Sequence, residues 1–167
     1  MEFIILDTIH NPLFTDLENY LRNQQWQKAD KETDRLLLKL GDKENQDYLD
    51  YDDFRNFPKK YLTTIDRLWL GYSDNHFGLS IQKQIYLDHG GKLNDFNWDA
   101  YKKMAEVIGW TKKDPWLSYR KYTFKINAPS GHLPSLLSLG NNSKLYGGLL
   151  GVGWSVTCLF SSVNDNT

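Results

Sequence analysis

Residues 58–82 read PKKYLTTIDRLWLGYSDNHFGLSIQ, and the periodicity of this stretch decides the fold. Pro58 suits the first turn of a helix, where its missing N–H is not needed. Tyr61, Leu62, Ile65, Leu68, Trp69 and Tyr72 then recur at helical spacing, which turns one face inward and assigns Ile65 and Trp69 to the core. Ser73-Asp74-Asn75-His76 has turn composition. The chain resumes at Phe77, with Ile81, Ile85 and Tyr86 in helical phase, until Gly90-Gly91 stops it.

Upstream, Thr15 and Glu18 have capping-box spacing, and Leu13, Leu17 and Leu21 recur four apart. After a break at Gln24-Gln25, a second stripe runs through Trp26, Ala29, Thr33, Leu36, Leu37 and Leu40. Lys28 and Glu32 stand one turn apart on its wet side, and Gly41 is the expected C-cap. This predicts a helical hairpin, followed by an exposed acidic connection over 42–53 that ends in a helical turn. Downstream, Trp98, Tyr101, Met104, Ala105 and Ile108 predict a helix ended by Gly109. Tyr122, Phe124 and Ile126 alternate with Thr123 and Lys125, a period of two that suggests an extended piece.

The tail is different. From Ile126 to Thr167 the only charged side chains are Lys144 and Asp165, and six of the twelve glycines fall there. Leu145 to Asn164 is a run of twenty residues without a charge, long enough to cross a bilayer, but only eleven of them are apolar. Leu145, Leu149, Val152, Val156, Leu159, Phe160 and Val163 form one stripe, as expected of a helix docked on a core.

With 167 residues, the chain is expected to be one domain over 13–163, preceded by a segment 1–12 and followed by a tail 164–167. Twenty basic side chains against twenty-one acidic ones leave no field strong enough to gather nucleic acid. The lone thiol, Cys158, cannot close an intramolecular disulfide, which fits a reducing compartment. The opening MEFIILDTIHNP has no basic leader, so neither a secretory signal nor an Arg-rich transit peptide is expected.

Enzymatic signatures miss. Gly71-Tyr72-Ser73-Asp74-Asn75 has an asparagine where a nucleophile elbow needs its second glycine, and it follows a helix instead of a strand. Gly148 to Gly153 has spaced glycines without a preceding strand. Asp47, Asp50, Asp52 and Asp53 could hold a hard cation but lack the glycine and terminal glutamate of a calcium loop, so they read as a solvated face. His10, His76, His89 and His132 have no zinc-ligand spacing.

Four longer patterns are specific. Leu17-Glu18-Asn19-Tyr20-Leu21 leads to Trp26, Ala29, Asp30, Thr33 and Leu36-Leu37. Then come LTTIDRLWLGYSDNHFGLSIQ over 62–82, VIGWTKKDPW over 107–116, and APSGHLP over 128–134. In this order they resemble the tetrapyrrole-binding, genomes-uncoupled-four family, over residues 13 to 134. The resemblance implies an all-α, compact multi-helix domain with a cupped concave ligand-binding face that receives protoporphyrin IX or Mg-protoporphyrin IX. It also implies a non-catalytic regulator that works with the large porphyrin-binding subunit of magnesium chelatase in chlorophyll biosynthesis. The setting is then a plastid stroma or a cyanobacterial cytoplasm, with peripheral contact to thylakoid or envelope membranes permitted.

Carried onto this chain, the family's ligand-facing positions fall on Leu70 and Leu79, beside Phe77 and Gln82, with Lys60 as an upstream cation. A porphyrin is a flat apolar disc with two propionates on one edge, so it needs greasy side chains and a few cations at the rim. His132 is either an axial ligand or a hydrogen-bonding loop anchor. Where the family has loop tryptophans and C-terminal arginines, this chain has Leu136, Leu137 and Leu139, and Ser161 and Ser162, with Lys144 as the one cation from that side. The ligand is therefore expected to bind more weakly, or with Lys60 and Lys144 sharing its propionates. The alternative reading is a bilin- or haem-binding domain, or a protein-interaction scaffold, that uses the same groove.

Overall fold

In a computed structural model, residues 11–46, 48–49, 51–55, 57–112, 116–136 and 149–163 are described, and they form seven α-helices and two single-turn 3-10 helices. The only β contact among them is an isolated bridge between Thr111 and Trp116, so the expected all-α class holds.

Asn11 accepts the Leu13 N–H through its side chain and starts a 3-10 turn, Pro12–Phe14, that runs straight into α1, Thr15–Arg22. Because the chain enters already coiled, Thr15 lies inside the helix and the expected capping box does not form. Glu18 instead accepts from the Tyr72 hydroxyl at 2.7 Å and pairs with Arg22 at 2.6 Å. The second helix, α2, spans Trp26–Leu40 and packs on α1 as the predicted hairpin. Glu32 is not a wet-side partner of Lys28. It is nearly buried and is bonded by Arg35 at 2.8 and 2.6 Å, while Lys28 lies over the Tyr20 ring. Gly41 caps α2 as expected, with the left-handed turn taken by Asp42 at φ 56°.

A short helix, α3 (Tyr51–Arg55), is the turn expected at the end of the acidic connection. Phe54 and Phe57, with rings 5.4 Å apart, fasten this connection to the core, and Lys43 pairs with Asp53 at 3.1 Å. The 58–82 stretch gives α4, Lys59–Tyr72, and the start of α5, Leu79–Asp88. Pro58 is the residue before the first turn, and α5 begins two residues later than Phe77. Helix α6, Trp98–Val107, is capped by the Asn97 side chain. The segment around Tyr122 is extended, as the alternation suggests, but it pairs with no strand.

The last helix, α7, covers Leu149–Ser162 and contacts α3, α4, α5 and α6. Val156, Leu159, Phe160 and Val163 are buried, so this part of the tail stripe docks on the core, while Leu145 lies outside the described residues. No helix among the described residues is long and apolar enough to cross a membrane.

At the centre, Trp69 of α4 stacks on Trp26 of α2 at 6.2 Å, and the Phe77 edge meets both indoles at 5.5 and 6.3 Å. The Trp69 indole N–H donates to Thr33 Oγ1 at 2.9 Å, and Thr33 in turn donates to Ala29 O. The largest core side chain therefore keeps its one polar atom satisfied within the α2 surface. Trp69→Ala should cost about 3–5 kcal/mol of unfolding free energy by urea titration, from lost burial plus the cavity it leaves.

Candidate functional site

The corner between α4 and α5 is built from its backbone outward. Ser73 Oγ donates to Trp69 O at 2.7 Å and accepts the Phe77 N–H at 2.8 Å, which folds the chain back as α4 ends. Gly78 has φ 151°, and a Cβ there would stand 2.8 Å from Asp66 Oδ1. Only glycine fits both the conformation and the space. Asp66, from within α4, accepts the Ser80 N–H at 2.9 Å and so caps α5, whose own N-cap offers no side chain. Burial pushes the Asp66 carboxyl up, opposed by the Ser80 and Leu79 hydrogen bonds and by the Lys83 charge. Lys83, also buried, donates to Val163 O at 3.0 Å, just past the end of α7.

Against this corner lies the loop 128–136. A buried irregular segment must find a partner for each N–H and C=O it removes from water. Ala128 O accepts from His76 Nε2 at 2.7 Å, Gly131 N donates to His76 O at 2.9 Å, and Leu133 O accepts from Gly78 N at 3.1 Å. Gln82 uses both amide hydrogens, one on Gly131 O at 2.9 Å and one on Pro134 O at 2.8 Å. Trp110 Nε1 donates to His132 O at 2.8 Å. Gly131 takes φ 75°, and a Cβ on it would press on Ile108, Ile85 and Ile81.

The expected site residues divide into three groups. Leu70, Phe77, Leu79, Gln82, His132 and Leu136 converge on this corner and loop. Leu70 and Leu136 keep 8% and 5% of their surface exposed, and the other four are more deeply buried. Phe77 is occupied by its contacts with Trp26, Trp69 and His76, and Gln82 by the two loop carbonyls, with its Oε1 unpartnered among the described residues. Lys60 stands apart: it is exposed, over the Tyr61 ring at 4.8 Å, and ten residues from Leu70, about 15 Å along α4. Leu139 and Lys144 lie outside the described residues.

Both nitrogens of His132 are committed. Nδ1 donates to Ile108 O at 2.7 Å and Nε2 accepts the Thr123 N–H at 3.1 Å, while the Tyr122 ring lies 5.1 Å from the imidazole. Of the two readings open for this residue, the contacts are those of a loop anchor. Burial pushes its pKa down, against the opposing hydrogen bond to Ile108 O, and this favours the neutral tautomer that the contacts require. Among the described residues no group of three or more His, Cys, Asp or Glu is arranged to hold a metal ion.

One participant has no local signature. Asp30, on α2, is 1% exposed, and its carboxylate takes two hydrogen bonds from Ser135, the N–H at 2.6 Å and the hydroxyl at 2.7 Å. It stands in the Trp26-Ala29-Asp30-Thr33 pattern, but nothing in its neighbourhood along the chain indicates a partner 105 residues away.

A model of the GUN4-like family matches residues 8–146. A Ycf53-like protein of Synechocystis sp. is 31% identical over 129 residues, which is 75% of this chain and 52% of that protein. A ycf53 protein of Pyropia yezoensis is 31% identical over 124 residues, 72% of this chain and 49% of its own length. The chain thus spans about half the length of these curated relatives. A chloroplastic tetrapyrrole-binding protein of Arabidopsis thaliana is 36% identical over a shorter stretch, 45% of this chain and 29% of that protein. Among solved structures, ligand-free GUN4 from Arabidopsis thaliana superposes with a TM-score of 0.71 at 25% identity, covering 93% of this chain and 97% of that one. GUN4 from Chlamydomonas reinhardtii shares the fold, with a TM-score of 0.67 at 24% identity, over 89% and 86% of the two chains.

The His132 contacts generate a pH dependence. An unfolded histidine takes up a proton near pH 6.5, whereas the folded one resists until lower pH, so this group lowers stability as pH falls through that range. The buried Asp30 and Asp66 carboxyls, pushed upward, act in the opposite sense. Going from about pH 7.5 to about pH 5.5 should therefore lower Tm less in His132→Asn than in the unaltered chain, measured by circular dichroism. Equal slopes would show that His132 makes no such contribution.

Proposed function

The chain belongs to the GUN4-like family, and on that premise we propose that it binds protoporphyrin IX or Mg-protoporphyrin IX at the junction of the α4–α5 corner with the loop 128–136. The observation that carries this is convergence. Leu70, Phe77, Leu79 and Gln82 from one sequence motif, His132 from a second, and Leu136 just beyond it meet around one junction, held by the bonds of Gln82 and Gly78 to the loop. Leu70 and Leu136 offer aliphatic surface to one face of the disc, with Leu139 as a further contact, and each Å² buried contributes about 25 cal/mol. Phe77, Gln82 and His132 hold the wall in place. Lys60, one helix length from Leu70, pairs with a propionate at the rim, and Lys144 shares that role. The binding unit is residues 13–163.

Regulation without catalysis is the consistent role. His132 has no ring nitrogen left for proton transfer, and the carboxylates nearest the junction, Asp30 and Asp66, are occupied by backbone and hydroxyl donors. The ligand is then carried to, or presented with, the large porphyrin-binding subunit of magnesium chelatase, which raises metal insertion at the branch point of chlorophyll synthesis. The place of action is a plastid stroma or cyanobacterial cytoplasm, with peripheral contact to thylakoid or envelope membranes.

Two measurements test this. Adding deuteroporphyrin should quench tryptophan fluorescence and shift the Soret band, and Lys60→Ala should weaken the affinity roughly two- to fivefold, as loss of one exposed ion pair would. A chelatase assay at limiting porphyrin should run faster with the protein present. A shift with bilin alone, or with no tetrapyrrole, would replace this reading by the bilin-binding or scaffold one.

A further inference from the structure

We propose that Asp30 is a positioning residue for the porphyrin site: its carboxylate, clamped on Ser135, sets the direction in which Leu136 leaves the loop. The functional half of this inference rests on the tetrapyrrole-binding reading above; the structural half does not.

Three observations converge on it. The first is the clamp itself, in which both carboxylate oxygens of a fully buried Asp30 accept from the one residue, Ser135, through its N–H and its hydroxyl. Two donors on one residue fix its orientation as well as its distance. The second is the cost of that arrangement. Among the described residues no salt-bridge cation faces the Asp30 carboxylate; burial works against its charge, and the hydrogen bonds from Ser135 and the charge of the adjacent Lys31 oppose that penalty. A well-packed apolar pair of similar volume would stabilise the α2–loop contact at least as well, so a carboxylate here serves orientation more than stability. The third is the next residue. Leu136 sits at φ 53°, a left-handed conformation that L side chains rarely adopt, and it remains 95% buried. Such a conformation persists only where its surroundings over-determine it, and on the N-terminal side of Leu136 the fixed point is Ser135.

Release of Ser135 therefore lets Leu136 relax out of its left-handed conformation and withdraw its side chain from the junction. The rest of the loop stays pinned by Gln82, His76 and Trp110, so the effect is confined to the end that carries the ligand-facing leucine.

Three variants of the full chain decide the matter, each read by amide hydrogen exchange of residues 131–136 without ligand and by deuteroporphyrin affinity. Asp30→Ala leaves two buried donors on Ser135 unpaired; it should speed exchange at Leu136 and weaken porphyrin binding about tenfold. Asp30→Asn keeps an acceptor for the Ser135 N–H and a donor for its hydroxyl, and should restore both readings to within about threefold. Thr33→Val lies one turn along α2, removes the Trp69 indole partner and should lower Tm, yet leave both readings unchanged. If Asp30→Ala does not fold, Ser135→Ala takes its place with the same expected signs. Unchanged exchange at Leu136 in the Ala variants would overturn the clamp. A loss of affinity in Thr33→Val equal to that in Asp30→Ala would reduce the effect to general destabilisation and overturn the positioning role. Failure of the unaltered chain to bind any tetrapyrrole would remove the tetrapyrrole reading and the functional half together, while the exchange results would still decide whether Asp30 holds the loop.

Discussion

A loop without regular structure lies inside this protein, and the need to satisfy its backbone polar groups organises the elements around it. Residues 128–136 bury side chains at Ala128, His132, Leu133, Ser135 and Leu136, so their peptide groups cannot all turn to water. Partners come instead from α2 through Asp30, from the α4–α5 corner through His76 and Gly78, from α5 through Gln82, and from just past the end of α6 through Trp110, while Ile108 O takes the His132 ring. Each helix contributes one or two polar atoms to a common object. The candidate site is at this loop because it is where the helices are tied to one another.

The helices themselves were legible because apolar periodicity is a local property. Trp26, Leu36, Leu62, Ile65, Trp69 and Tyr86 sit where their spacing places them, and the tail stripe of Val156, Leu159, Phe160 and Val163 docks as expected. Polar side chains were read less well, for a physical reason. A carboxylate seeks the strongest donor in reach, and in a folded chain that donor need not be near in sequence. Glu18 takes the Tyr72 hydroxyl, 54 residues on, and Asp30 takes Ser135, 105 residues on. The motif resemblance gathered Leu70, Leu79, Gln82 and His132 into one region. It said nothing of how they are held, because the bonds that hold them, such as Gln82 to Pro134, span about fifty residues.

Buried charge is used here to orient more than to stabilise. Asp66 caps a helix that has no cap of its own, Lys83 closes the end of another, and Asp30 grips a loop. Each polar pin names one geometry, where a greasy contact would tolerate several. The aromatic centre supplies the driving force, since the Trp26, Trp69 and Phe77 rings remove a large apolar area from water while the Trp69 indole N–H is satisfied by Thr33. Cohesion and precision thus come from different residues.

The long reach of the Asp30 bond has a consequence for synthesis. At about 5–20 residues per second, a ribosome needs roughly 5–20 s to add the 105 residues that separate Asp30 from Ser135. The helical hairpin emerges long before its distal partner exists, carrying an acidic group whose only accommodation in the meantime is the solvent. Until Ser135 has been added, the nascent hairpin therefore carries Asp30 without the two donors that clamp it in the finished fold.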